Sequence, residues 1–157
     1  MNNKTTRIYI KDLSKHVGQS VVIKGWVAVR RDQGKMVFMD MRDMTGIVQS
    51  VALPSHVEVI EYAKDIRTEW VLAVTGIVNK RPERNIKADV TNGDIELEIT
   101  GIEVLNQSET VPFDIGSDTR VVGEETRLAH RYVDLRSDRM QTNLRTATKL
   151  LRIFAAS

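Results

Sequence analysis

In the run GKMVFMDMRD, residues 34–43, alternate side chains sort into two sets: Val37, Met39 and Met41 on one face of a strand, Phe38 with Asp40 and Arg42 on the other. A ring among charges stands out in a chain with three Phe, three Tyr and two Trp. The chemistry such a ring offers is stacking on another flat ring, which for a nucleobase is worth roughly 1 to 3 kcal/mol and asks for no particular base. The competing reading is a satellite core residue covered by its own loop.

Gln49 follows in GIVQSV. Its amide both donates and accepts, so it could pair with the edge of an unstacked base. Strict alternation groups it with Ile47 and Val51, so a bulge near Gly46 is expected to be needed to turn it outward. Otherwise it is a solvated or capping glutamine. Glu96 and Glu98, in DIELEI, project opposite Ile95, Leu97 and Ile99. A carboxylate near a polyanion makes sense when it accepts hydrogen bonds from base amino or imino groups, and Glu98 fits an ordinary solvated edge as well. Arg30, Arg31 and Lys35 flank one turn, and Lys80, Arg81, Arg84 and Lys87 lie in one long loop. Cations in such places neutralise phosphates and make binding salt-dependent, although each taken singly is an ordinary surface charge.

No catalytic constellation accompanies them. There is no glycine-rich phosphate loop and no nucleophile motif. The absence of cysteine and the scatter of His16, His56 and His130 leave no metal-ligand spacing.

The elements that must carry these side chains can be read from periodicity. Apolar alternation marks five strands, at 21–30, 35–42, 46–51, 70–80 and 94–105. Between the third and fourth, Val57, Ile60, Ala63 and Ile66 fall at helical spacing behind Ser55 as a cap. Three strands, a helix and two strands is the order of an OB-fold, a five-stranded Greek-key barrel of mainly β class that binds oligonucleotides through its second and third strands and through the loops joining strands one to two and four to five. RRDQGK, 30–35, is the first of those loops, with Gly34 free to take a positive φ; 79–94 is the second. The expected domains are the barrel at 1–105, a hinge at 106–126 with little periodicity, and a helical tail at 127–157. In the tail Ser137 is a cap, Asp138 suits the first turn, and Met140, Leu144, Ala147, Leu151 and Phe154 draw an apolar stripe that needs a cover.

The net charge of +2 is unevenly spread. Residues 1–53 hold nine Lys/Arg against four Asp/Glu, 54–120 seven against thirteen, and 121–157 seven against four. A basic segment beside an acidic one suggests a polyanion met by one surface. With no apolar leader region and no apolar run near the roughly 18 residues of a membrane span, the expectation is a soluble, intracellular, non-secreted protein without a membrane partner.

The segments GWVAVRRDQGKMVFMDMRDMTGIVQSV, VTGIV, NGDIELEI, VPFD and RLAHRYVDLRSDRMQTNLRTATKLLR together resemble the N-terminal part of aspartyl-tRNA synthetases, most closely the bacterial type. Lysyl- and asparaginyl-tRNA synthetases share the OB-fold but match the RRD-x-G loop less well. The resemblance implies that the OB domain holds a tRNA anticodon loop. It implies Phe38 as a stacking platform, Gln49 and Glu96 as base-edge readers, and Arg30, Arg31, Arg81 and Asn85 as contacts to backbone or bases. It also implies a parent enzyme, homodimeric and cytoplasmic, that uses ATP and Mg2+ to attach aspartate to tRNA. The class II motifs that would bind ATP are expected beyond this stretch, so these 157 residues are expected to be inactive alone. The alternative is a free-standing OB module for single-stranded nucleic acid.

Overall fold

A computed structural model describes residues 6–88 and 90–155. The chain divides into two compact units, Met1–Glu109 and Thr110–Ser157.

The first unit is a closed five-stranded barrel. Its strands are β1 (Ser20–Gln33), β2 (Met36–Asp43), β3 (Gly46–Ala52), β4 (Val71–Lys80) and β5 (Ile95–Asn106), closed in the order β1-β2-β3-β5-β4, with helix α1 (Val57–Asp65) between β3 and β4. This is the OB-fold order anticipated from the sequence. All pairings are antiparallel except β3 with β5, a short parallel seam with Ser50 opposite Leu97 and Val51 opposite Glu98.

The alternation that identified the strands also fills the barrel. Val37, Met39 and Met41 of β2 point inward with Ile23 and Val27 of β1, Leu72 and Val74 of β4, and Leu97 and Ile99 of β5, all essentially without solvent exposure. Fully burying each such side chain contributes about 1.5 to 3 kcal/mol. Val59 and Ala63 of α1 join that core, as does Ile66 just beyond its end. The expected cap Ser55 does not serve: the N-cap position is His56, with no side-chain capping bond. A 3₁₀ helix, Ile10–His16, which no periodicity announced, adds Ile10 and Leu13 to the core. It is tied down by the buried Asp43, whose Oδ2 accepts the Ile10 N–H at 3.0 Å while Oδ1 accepts from Thr45 and Gly46 in the β2–β3 turn.

The second unit contains a 3₁₀ turn, Thr119–Val121, then α2 (Glu124–Ala129), α3 (Arg131–Asp134) and α4 (Asp138–Ala155). Ser137 caps α4 as expected, its Oγ accepting the Met140 N–H at 3.4 Å. Asp134 is fully buried and gathers three guanidinium groups: Arg131 at 2.9 Å, Arg139 at 3.5 Å and Arg127 at 3.9 Å. Of the predicted apolar stripe on α4, Met140 is buried and Leu144, Leu151 and Phe154 are exposed.

Candidate nucleic-acid interface

The outward face of the barrel is built by the strands whose inward face is its core. On β2 burial alternates without a break, which leaves Phe38, Asp40 and Arg42 outside and only partly covered. Phe38 has Arg31 of β1 opposite it on one side and Val51 of β3 on the other. It is therefore not a core residue.

Gln49 also faces outward, and without a bulge: β2 and β3 stay in register from Val37 opposite Ala52 to Asp43 opposite Gly46. Val48, Ser50 and Ala52 of β3 are buried in alternation, with Val51 covered as well, while Ile47 is exposed and Gln49 partly so; alternation itself thus places Gln49 outside. The expectation that a bulge was needed is corrected on this point.

Next to that row lies a recess of about 310 Å³ lined by Gln49, Glu96, Arg81, Arg84, Asn85, Ile86 and Lys87. Six residues singled out from the sequence, Gln49, Arg81, Arg84, Asn85, Lys87 and Glu96, thus converge on one hollow although 47 positions separate the first from the last. Asp40, two residues along β2 from Phe38, stands opposite Gln49, which sets the ring beside the hollow. The seam between β3 and β5 brings the strand of Gln49 against the strand of Glu96.

The cations are not equivalent. Arg31 lies beside Phe38, its side chain 41% exposed, and its Nη2 donates to both carboxylate oxygens of Asp40 at 2.9 and 3.1 Å. Arg30 points elsewhere: its Nε donates to the Ala63 carbonyl at 3.0 Å and its Nη2 to Asp32 at 2.8 Å, which fastens the β1–β2 hairpin to α1. The structure does not bring Arg30 to the Phe38 face. Arg81 is more deeply set than a loop cation is expected to be, with a side chain only 5% exposed. Its Nε makes no hydrogen bond, and the nearest Glu96 oxygen is 3.9 Å away. The Arg81 Nε–H is itself covered, so it holds positive charge behind the recess beside Glu96, whose partly exposed carboxylate is an acceptor that a base edge can meet.

Glu98, which read as a solvated edge residue, is fixed on both oxygens. Asn79 Nδ2 donates to one at 3.0 Å, and His56 Nε2 lies 3.4 Å from the other. Reasoning from the sequence missed that cluster because its members are far apart in the chain. It also missed Ile86 as part of the recess wall. Among the described residues no group of acidic or histidine side chains could hold a metal ion, and no helix is long and apolar enough to cross a membrane.

A family model described as an OB-fold nucleic acid binding domain, of the tRNA anti-codon type, matches residues 21–105. The chain belongs to that family. The match covers the strands and the β4–β5 loop that build the recess. Among curated proteins, the chain is 42% identical over 150 residues to the aspartate–tRNA(Asp/Asn) ligase of Halothermothrix orenii, covering 95% of this chain and 25% of that protein. It is 47% identical over 137 residues to the same-named ligase of Caldanaerobacter subterraneus, covering 87% of this chain and 23% of the relative. The chain spans about a quarter of the length of these relatives. Among solved structures, an aspartyl-tRNA synthetase from Leishmania major is similar with a TM-score of 0.72 and 30% identity, covering 87% of this chain and 29% of that one. The aspartyl-tRNA synthetase of Entamoeba histolytica reaches a TM-score of 0.83 over 99% of this chain and 38% of its own at 22% identity, a likeness of fold.

Proposed function

We propose that the barrel unit holds the anticodon loop of a tRNA on behalf of an aspartate–tRNA ligase. The observation that carries this reading is the juxtaposition of an outward ring, Phe38, with a recess that offers Gln49 and Glu96 to a base edge. Phe38 stacks one unpaired base, and Gln49 and Glu96 read base edges. Arg81, buried behind the recess, supplies positive charge beside Glu96. Asn85 presents its amide from the loop wall, and Arg31, Arg84 and Lys87 meet phosphates. Arg30 serves by fixing the hairpin that carries Arg31. In the same reading residues 106–126 are a hinge and 127–157 begin the catalytic domain of the parent. That parent attaches aspartate to tRNA with ATP and Mg2+, as a homodimer in the cytoplasm, and these residues contribute recognition without catalysis.

The decisive experiment is Phe38→Ala, followed by both affinity and melting. A stacking platform predicts binding of an anticodon stem-loop weakened by roughly 1 to 3 kcal/mol, about 5-fold to 150-fold, with little change in stability. A core residue predicts a loss of about 3 to 5 kcal/mol in folding instead. Unchanged affinity in a well-folded variant overturns the reading.

A further inference from the structure

We propose that Asn92 is a positioning residue for this recess: its amide clasps the loop between β4 and β5 to β3 and to the N-terminal 3₁₀ helix, so that the recess wall stands in place before a ligand arrives. The proposal rests on the function argued above.

Asn92 has a φ of 60°, in the left-handed region that Asn enters more readily than most side chains. From that backbone its Nδ2 donates to the Ile10 carbonyl at 3.2 Å and to the Ile47 carbonyl at 3.3 Å. An amide nitrogen carries two hydrogens, so both carbonyls are served at once. Ile47 lies two residues before Gln49 on the same face of β3. Ile10 is itself held by the buried Asp43.

On the loop side the clasp continues into the recess wall. The Gly93 carbonyl accepts the Lys87 N–H at 3.1 Å, and the Gly93 N–H donates to the Val90 carbonyl at 2.9 Å. A Cβ at position 93 would fall 1.9 Å from the Lys87 carbonyl oxygen, so only glycine allows this approach. Lys87 lines the recess. A continuous line of contacts therefore runs from the wall, through Gly93 and Asn92, to the strand that carries Gln49. A wall ordered in advance spares the ligand the entropy of ordering it.

Two variants of the full chain test the clasp. Asn92→Gly keeps the left-handed backbone and removes the amide; Asn92→Asp keeps the shape and presents acceptors where the donor stood. Amide hydrogen exchange without RNA is expected to speed up about tenfold at Lys87 and Gly93, with Met39 and Ser50 unchanged. Affinity for an anticodon stem-loop RNA is expected to fall roughly fivefold to tenfold in both variants. Glu96→Gln should then weaken binding less in the Asn92→Gly background than in the unaltered chain, a coupling that a merely structural role would not produce. Unchanged exchange overturns the clasp, and faster exchange with unchanged affinity and no coupling to Glu96 overturns the positioning role. Failure of the unaltered chain to bind RNA overturns the underlying function and this proposal together, an outcome distinct from the other two because in those the unaltered chain still binds.

Discussion

Arg30 and Arg31 are neighbours in the chain with different employment, and mutation should separate them. Arg30→Ala removes a charged donor from the Ala63 carbonyl and is expected to lower stability by about 1 to 2 kcal/mol, read by denaturant unfolding, while the salt dependence of RNA binding stays as it was. Arg31→Ala gives up only a partly exposed pair with Asp40, worth little to folding, and should flatten the plot of log affinity against log salt by about 0.7 to 1. The opposite pattern would exchange their roles. The sequence made Phe38 legible because the other face of its strand, Val37, Met39 and Met41, is unmistakably apolar. Gln49 was harder to orient: hydrophobicity alone favours Ile47 over Ser50 as a buried residue, yet Ile47 is exposed while Val48, Ser50, Val51 and Ala52 are all buried. The depth of Arg81 left no trace in the sequence, since burial of one guanidinium depends on how a loop folds over it. Asn92 did leave one, because Asn-Gly is a turn signal.

At the scale of elements, five strands and a helix were legible because each has a strong period, whereas the Ile10–His16 helix is short, 3₁₀ and fixed by Asp43 from a distant turn. The turn before α2 has its own pH signature. The side chain of Arg120, and then its backbone N–H, hydrogen-bond to the carboxylate of Asp118 and lower its pKa from 3.8 to about 2. A depressed carboxylate adds stability that is fully present above its unfolded pKa and lost as pH falls through the folded one. The Thr119–Val121 turn should therefore begin to weaken below about pH 4 and lose this support by about pH 2. An NMR titration should place the Asp118 midpoint near 2 and move it up toward 3.8 in Arg120→Ala; an unmoved midpoint would rule out the pair. Asp134, fully buried among three arginines, is the charge centre of the helical unit. Replacing it with Ala leaves those cations facing one another, and thermal unfolding should report a loss of about 3 to 5 kcal/mol in that unit.

At the scale of the molecule, a modest net charge conceals a basic first third and an acidic middle, which composition alone would have missed. If the proposed contacts of Arg31, Arg84 and Lys87 to phosphates of a single-stranded loop hold, log affinity should fall with log salt at a slope of about −2, measured by titration at several ionic strengths. A slope near zero would remove all three from the binding surface. The parallel seam of the barrel matters in a further way, through kinetics. It joins segments some 47 positions apart with only Ser50–Leu97 and Val51–Glu98 in register, so the entropy of closing that long loop falls on very few bonds. Gln49 and Glu96 stand on opposite sides of it. A chain whose seam is open has the ring of Phe38 but no hollow beside it. RNA that requires both would thus favour the closed state by mass action, about 2.7 kcal/mol at a hundredfold excess over Kd, so a bound ligand would hold the seam shut.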